Sequence, residues 1–141
     1  ALRAWKGQIY AIEKKEDALA LLKENRRKFA TDNLEIVPGT APEAMVELPV
    51  PTHAFIGGSS GNMNEIIRLL LDKNPGVRIV INCITLETVT EAMNAIRDFS
   101  LTDVDIVQLS AARSKSIGRY HMMMGENPIY IISCSGRGEE I

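Results

Sequence analysis

Residues 53–74, HAFIGGSSGNMNEIIRLLLDKN, decide the fold class, because small residues join an apolar segment to a helix-forming one. Residues 53–57 have the composition of a buried strand, and residues 62–74 place apolar side chains at helical spacing. Asn62 is a candidate N-cap, and Pro75-Gly76 predicts the end of the helix. The intervening run of small residues is longer than a turn requires, so we expect a ligand to approach it.

The same alternation of strand and helix recurs along the chain. Near-continuous apolar strands separated by helices predict an α/β fold with a mostly parallel, doubly wound sheet. No helix is evident between the last two strands, which predicts that they form an antiparallel pair at one edge of the sheet. Residues 113–127 show no clear pattern. Strands are predicted at 7–13, 34–39, 77–84, 104–112 and 128–135, and helices at 15–30, 41–48 and 85–99.

Length and composition predict one cytoplasmic domain. The chain has 141 residues, of which 45% are hydrophobic, and its formal net charge of −2 argues against nucleic-acid binding. The two cysteines, Cys83 and Cys134, lie in apolar runs, which predicts buried free thiols rather than a disulfide. No apolar run approaches the roughly 20 residues of a membrane span, and no signal peptide is visible.

The glycine loop admits several interpretations. A phosphate-binding P-loop requires a lysine after its last glycine, but Asn62 follows Gly61. The motif Gly57-Gly58-Ser59-Ser60-Gly61 matches a nucleophile elbow, which leaves a small serine hydrolase using Ser59 and His121 as an alternative. A non-catalytic nucleotide-binding domain is a further alternative. A ligand-facing loop at the carboxyl end of a strand fits the whole pattern best.

Glu13 ends the first predicted strand, where α/β folds often place the acid that binds a ribose. Such an acid follows a glycine-rich turn by about 20 residues, which would precede residue 1. Residues 1–7, ALRAWKG, have the composition of a helix end with Gly7 at the C′ position. We therefore expect an N-terminally incomplete domain that lacks its first strand and glycine loop. A solvated glutamate before a helix is the alternative.

Five segments of the chain carry a family resemblance. They are 9–29, 35–45, 53–70, 78–99 and 108–136, the last being QLSAARSKSIGRYHMMMGENPIYIISCSG. Together they resemble the precorrin-6Y methyltransferase (decarboxylating) family of cobalamin biosynthesis, whose members methylate C15 of a precorrin and decarboxylate its C12 acetate side chain. The resemblance implies a class I methyltransferase fold, Rossmann-like, that binds S-adenosylmethionine and has an antiparallel last strand. It also implies a homo-oligomer, a tetramer in related members.

The resemblance also implies roles for residues at the strand ends. Glu13 is expected to hold the ribose of S-adenosylmethionine, and Gly39, Thr40 and Ala41 to lie beside the adenine. Gly57 and Gly58 are expected at the methionine end of this cofactor. No metal ligands are expected. The expected substrate contacts are Ser59, Thr85, Leu86, Arg113 and Arg119, and the candidate catalytic residues are His121 and Glu87.

Basic residues between 113 and 121 suit a substrate with many carboxylates, because arginine binds a carboxylate in bidentate fashion. An exposed basic loop is the alternative for these residues, and a structural role is the alternative for His121. Glu87 is equally explained as a first-turn helix carboxylate. The run Met122-Met123-Met124 is expected in core or subunit-interface packing, or as adaptable apolar surface for a flat ligand.

Overall fold

Parallel pairing of two strands organises the first of two units in the chain. A computed structural model describes residues 1–58 and 61–138 and divides the chain into Ala1–Pro49 and Val50–Ile141. In the first unit, strand β1 pairs with strand β2 from Ile9↔Leu34 to Glu13↔Pro38. Their carboxyl ends therefore lie at the same edge. The elements are β1 (Ile9–Glu13), α1 (Glu16–Lys28), β2 (Leu34–Pro38) and a short 3₁₀ helix (Glu43–Met45).

The helical ending predicted for residues 1–7 is wrong. These residues form bends and turns, and the Gly7 amide donates to the Ala4 carbonyl at 2.8 Å. The side-chain amide of Asn33 contacts the carbonyl oxygens of Ala1, Ala4 and Gly7 at 3.2, 2.9 and 2.9 Å. Because Asn33 satisfies these carbonyls, the segment does not need helical hydrogen bonds.

The second unit is built on a four-stranded sheet with the order β3-β4-β8-β5. Strands β3 and β4 are parallel, and β8 is antiparallel to both of its neighbours. The expected antiparallel pair is thus confirmed, with β5 at the edge. The elements are β3 (His53–Ile56), α2 (Met63–Lys73), β4 (Arg78–Cys83), α3 (Leu86–Asp98), β5 (Thr102–Leu109), β6 (Ala112–Ile117), β7 (Tyr120–Gly125) and β8 (Ile129–Ser135).

Alternation along β4 places the core on one face of this sheet. Ile79, Ile81 and Cys83 are fully buried, whereas the intervening residues are partly exposed. The amphipathic helices α2 and α3 also bury one side, the former through residues that include Met63 and Ile67. These two helices therefore help to bury the apolar face that the strand pattern predicts.

The segment without a predicted pattern forms an antiparallel hairpin, which we call the arm (Ala112–Gly125). Strands β6 and β7 pair from Ala112↔Gly125 to Ile117↔Tyr120. Gly118, with φ of 59°, opens the two-residue turn, as expected of a type II′ hairpin. Every residue of both strands is exposed. An alternation of buried and exposed residues is therefore absent here, which is why the sequence gives no strand signal.

Candidate functional site

Glu13 ends β1 with its side chain fixed by the following backbone. Its Oε1 accepts hydrogen bonds from the amides of Lys14 and Lys15 at 2.8 and 2.9 Å. These bonds, from Lys15 first and then Lys14, hold the pKa of the Glu13 carboxyl below its usual range because they stabilise the charged form. No hydrogen bond within the described part of the chain involves Oε2. This oxygen is the one suited to accept from a ligand.

Gly39, Thr40 and Ala41 lie beside Glu13 at the carboxyl edge of the first unit. The Gly39 amide donates to the Glu13 carbonyl at 3.0 Å, so the two strand ends are tied together. Gly39 has φ of +147°, and an added Cβ would lie 3.0 Å from the Cβ of Ala44. Glycine is therefore required at this position by backbone conformation and by space.

Gly57 and Gly58 follow β3 at the carboxyl edge of the second unit, and both are exposed. Among the described residues, an added Cβ on Gly58 would meet nothing within 4 Å, and one on Gly57 would meet only the ring of Phe55, at 3.2 Å. Packing against these residues therefore does not explain Gly58, which fits a ligand-facing position. Ser59, the candidate substrate contact and hydrolase nucleophile, lies outside the described residues.

Thr85, Leu86 and Glu87 begin α3, directly after β4. The Thr85 hydroxyl accepts from the Thr88 amide at 3.1 Å and lies 2.9 Å from the Thr88 hydroxyl, which confirms the predicted cap. Leu86 is 73% exposed, and Glu87 lies exposed in the first turn. The Thr85 side chain thus has a structural role, while Leu86 offers apolar surface.

The basic residues predicted to bind substrate lie on the arm. Arg113 Nε is 3.9 Å from Glu126 Oε1, and the Arg119 guanidinium donates to the Tyr120 hydroxyl at 3.2 Å and lies over its ring. Arg113 pairs with Met124 across the hairpin, and His121 pairs with Ser116. Paired residues share a face, and side chains alternate along a strand, so Arg113 and Ser116 lie on opposite faces. Arg113 and His121 therefore face opposite sides of the hairpin, and one ligand cannot contact both from a single face.

Asn82 is a polar residue near the carboxyl end of a strand, the edge at which ligands bind in open α/β sheets. It lies next to the end of β4, within the otherwise apolar run Ile79–Cys83. Its Oδ1 atom is buried and has no hydrogen-bond partner among the residues that the structure describes. The signal in the sequence is an amide in an apolar strand at a carboxyl edge.

A surface groove, a metal-binding cluster or a membrane-spanning helix would be another sign of function. A shallow groove in the first unit is lined in part by Leu2, Arg26, Phe29 and Leu34, and so lies at the amino end of β2. Within residues 1–58 and 61–138, no three His, Cys, Asp or Glu side chains are grouped to hold a metal ion. None of the helices in these ranges is long and apolar enough to cross a membrane.

The strand order and the glycines at the carboxyl edges define an α/β protein with the class I methyltransferase fold. Structural relatives of the chain share this fold. The sequence profile of the precorrin methyltransferase domain matches residues 1–135, and the chain belongs to that family. This assignment favours the methyltransferase interpretation over the serine hydrolase and the non-catalytic nucleotide-binding domain.

Three relatives illustrate the similarity. The chain is 38% identical over 127 residues to a probable cobalt-precorrin-6B C(15)-methyltransferase (decarboxylating) of Methanothermobacter thermautotrophicus, covering 89% of this chain and 66% of that protein. A precorrin-6y C5,15-methyltransferase from Geobacter metallireducens superposes with a TM-score of 0.81 at 34% identity, over 92% of this chain and 68% of that one. A precorrin 8W decarboxylase from Methanobacterium thermoautotrophicum gives a TM-score of 0.80 at 37% identity, over 90% and 69%. The chain thus spans about two thirds of its curated relative's length.

Proposed function

We propose that this chain is the main part of an S-adenosylmethionine-dependent enzyme of cobalamin biosynthesis. The enzyme methylates C15 of a precorrin or cobalt-precorrin and decarboxylates its C12 acetate side chain. The family match over residues 1–135 carries this proposal. The names of the relatives, which include both a methyltransferase and a decarboxylase, support the pairing of the two reactions.

The carboxyl edge of the first unit fits the nucleoside part of the cofactor. Glu13 presents an ionised carboxylate with Oε2 available to accept hydrogen bonds from ribose hydroxyls. Gly39, Thr40 and Ala41 continue this edge, and the obligatory glycine keeps its backbone free of a side chain. These residues are the proposed contacts for ribose and adenine.

Gly57 and Gly58 in the second unit are the proposed contacts for the methionine end. Backbone without side chains suits a ligand that must approach closely, and an alanine Cβ at Gly58 would occupy open space. When bound, S-adenosylmethionine supplies the methyl group. Methyl transfer needs alignment of donor and acceptor, so no protein nucleophile is required of this chain.

The substrate contacts proposed here lie at the start of α3 and on the arm. Leu86 offers an exposed apolar side chain for a macrocycle, and Arg113 and Arg119 are exposed cations for its carboxylates. His121 and Glu87 are the proposed proton carriers for decarboxylation. Since Arg113 and His121 face opposite sides of the hairpin, we assign them to different parts of the substrate or to different copies. Ser59 and Thr85 complete the proposed substrate set.

We propose that the arm joins copies of this chain into a homo-oligomer. Tyr120, Met122 and Met124 are 65%, 53% and 46% exposed on one face of the hairpin, which is too much apolar surface for an isolated two-stranded ribbon. Strand β7, YHMMMG, has no lysine, arginine, acid or proline to protect its free edge. An uncovered edge of this kind is suited to pair with another strand.

The charge distribution of the chain favours a second copy of it as the partner that binds the arm. The arm carries Arg113, Lys115 and Arg119, whereas Asp103 and Asp105 lie at the start of β5, the strand that leads into it. Two arms related by a two-fold axis perpendicular to their strands run antiparallel, and we propose that the basic arm of one copy then lies against the acidic start of β5 of the other. This arrangement pairs opposite charges twice.

The cytoplasm is the proposed location, because Cys83 and Cys134 are buried free thiols, as in a reducing compartment.

Calorimetry with S-adenosylhomocysteine tests the proposed function. We expect Glu13→Ala to weaken binding at least tenfold, because it removes the ribose acceptor. Glu35→Ala is the matched control, since Glu35 is an exposed carboxylate on the neighbouring strand, paired with Tyr10. Equal binding by both variants would contradict the assignment of the ribose site.

A further inference from the structure

The position of Asn82 in β4 indicates a further role for this residue. It belongs to the partly exposed set in β4, with Arg78 and Val80, opposite the buried residues. Its partner across the antiparallel pair with β8 is Ile131. Strand β3 ends with Ile56 paired to Ile81, so Gly57, which follows β3, lies beside Asn82. Neither Ile131 nor Gly57 has a side chain that can donate a hydrogen bond.

The acceptor atom of this amide is buried without a donor. Oδ1 of Asn82 has no partner in the described part of the chain, although a buried carbonyl oxygen normally has one. Leaving such an atom unpaired costs folding free energy, so an apolar residue of similar size would be favoured if packing alone decided the position.

Two other polar residues of the second unit have the hydrogen-bond partners that Asn82 Oδ1 lacks. On the same strand, the Arg78 guanidinium donates to the hydroxyls of Ser133 and Ser135 and to the Asp103 carbonyl. Asn74, which follows α2, uses both ends of its amide: Nδ2 donates to the Pro51 carbonyl at 2.8 Å and Oδ1 accepts from the Gly76 amide at 3.0 Å. These two residues have structural partners, whereas Asn82 Oδ1 lacks one.

We propose that Asn82 is a ligand-positioning residue. When its side chain turns toward the carboxyl edge of β4, Oδ1 accepts a hydrogen bond from an N–H or O–H group of the bound ligand. This inference rests on the proposed function, which places the methionine end of the cofactor at Gly57, beside Asn82, and the substrate at Leu86, which begins the helix after β4. The donor belongs either to the cofactor or to the tetrapyrrole.

The test compares Asn82→Leu with Asn74→Leu, because both amides are partly buried in the second unit and only that of Asn74 has partners at both ends. Urea denaturation without ligand gives the free energy of unfolding. Calorimetry gives the dissociation constants for S-adenosylhomocysteine and for uroporphyrin, a flat tetrapyrrole with many carboxylates. We expect Asn82→Leu to be at least as stable as the wild type and to lose tenfold or more in affinity for one probe. We expect Asn74→Leu to be less stable than the wild type.

The probe that loses affinity identifies the source of the donor. A variant Asn82→Leu that is destabilised like Asn74→Leu and binds both probes as the wild type does would overturn the inference. Should the leucine variant not fold, the side-chain amide resonances of Asn82 in the wild type serve instead, assigned by their absence in Asn82→Asp. They are expected to shift when one probe is added, and unchanged resonances with both would equally overturn it. Failure to bind S-adenosylhomocysteine both by the wild-type chain and by a chimera that adds the unmatched part of the Methanothermobacter relative would count against the proposed function instead.

Discussion

The backbone amide of Gly39 donates a 3.0 Å hydrogen bond to the carbonyl of Glu13, which joins the ends of two parallel strands. The same glutamate directs its Oε1 to the amides of Lys14 and Lys15. The backbone carbonyl of Glu13 therefore holds the two strand ends together, and its side chain presents a charged oxygen. This relationship supports the proposal that the first unit binds the ribose of the cofactor.

Binding of S-adenosylhomocysteine should be insensitive to acid until the pH falls through the lowered pKa of Glu13. The two backbone hydrogen bonds favour the carboxylate, so it remains ionised below the ordinary glutamate pKa of about 4.3. Any stability that these bonds contribute is present above the unfolded-state pKa and lost as the pH falls through the folded one. NMR titration of the Glu13 side-chain carboxyl carbon measures this directly, and a pKa at or above the ordinary value would contradict it.

Gly39→Ala should lower the free energy of unfolding by about 1–3 kcal/mol, because it imposes a positive φ on a side-chain-bearing residue and crowds Ala44. Gly58→Ala is the control, since its Cβ enters open space and its φ is not in the left-handed region. We expect Gly58→Ala to change stability by less than about 0.5 kcal/mol but to weaken S-adenosylhomocysteine binding. Urea denaturation and calorimetry separate the two effects. Equal losses of stability would show that the two glycines have the same structural role.

Arg78→Met should destabilise the second unit by about 1–3 kcal/mol. The partly buried guanidinium donates to Ser133, Ser135 and the Asp103 carbonyl, where a register shift interrupts the pairing of β5 with β8. Arg97→Met is the control, because Arg97 is exposed and its ion pair with Asp98 spans 3.8 Å. We expect less than about 0.5 kcal/mol from this control. Thermal or urea unfolding that ranks the two variants equally would contradict the proposed structural role of Arg78.

Replacing Met122 and Met124 by serine should shift the protein toward monomers, because both side chains lie exposed on the same face of the arm. Met93→Ser is the matched control, since Met93 is 42% exposed on α3 and lies outside the arm. Light scattering coupled to size-exclusion chromatography gives the mass of each variant. A wild type that is monomeric at micromolar concentration, or a double variant with unchanged oligomeric mass, would refute the assembly proposal.

Much of the fold could be predicted from the sequence because its strands and helices have strong patterns. The run RIVINC predicts a buried strand, and TLETVTEAMNAIRDF predicts a capped helix, as the Thr85–Thr88 bond confirms. The arm has no such pattern, because β6 and β7 bury neither face within the chain. Hydrophobic periodicity in a sequence reflects which side chains are buried within that chain. It does not indicate surface that another molecule covers.

The candidate site was only partly predictable for a related reason. Glu13 and Gly39 could be placed at one edge because parallel strands end together. The opposite orientations of Arg113 and His121 depend on a hairpin register that the sequence does not specify, and the unpaired Oδ1 of Asn82 depends on its surroundings in space. Hydrogen-bond pairing is a property of three-dimensional neighbours and cannot be deduced from the residue type alone.

The most direct test of the central claim is calorimetry of S-adenosylhomocysteine with the 141-residue chain and with a chimera that adds the unmatched part of the Methanothermobacter relative. The account predicts one binding site per chain in at least the chimera, and loss of tenfold or more in affinity with Glu13→Ala but not with Glu35→Ala. Binding by neither protein, or binding that Glu13→Ala leaves unchanged, would contradict it.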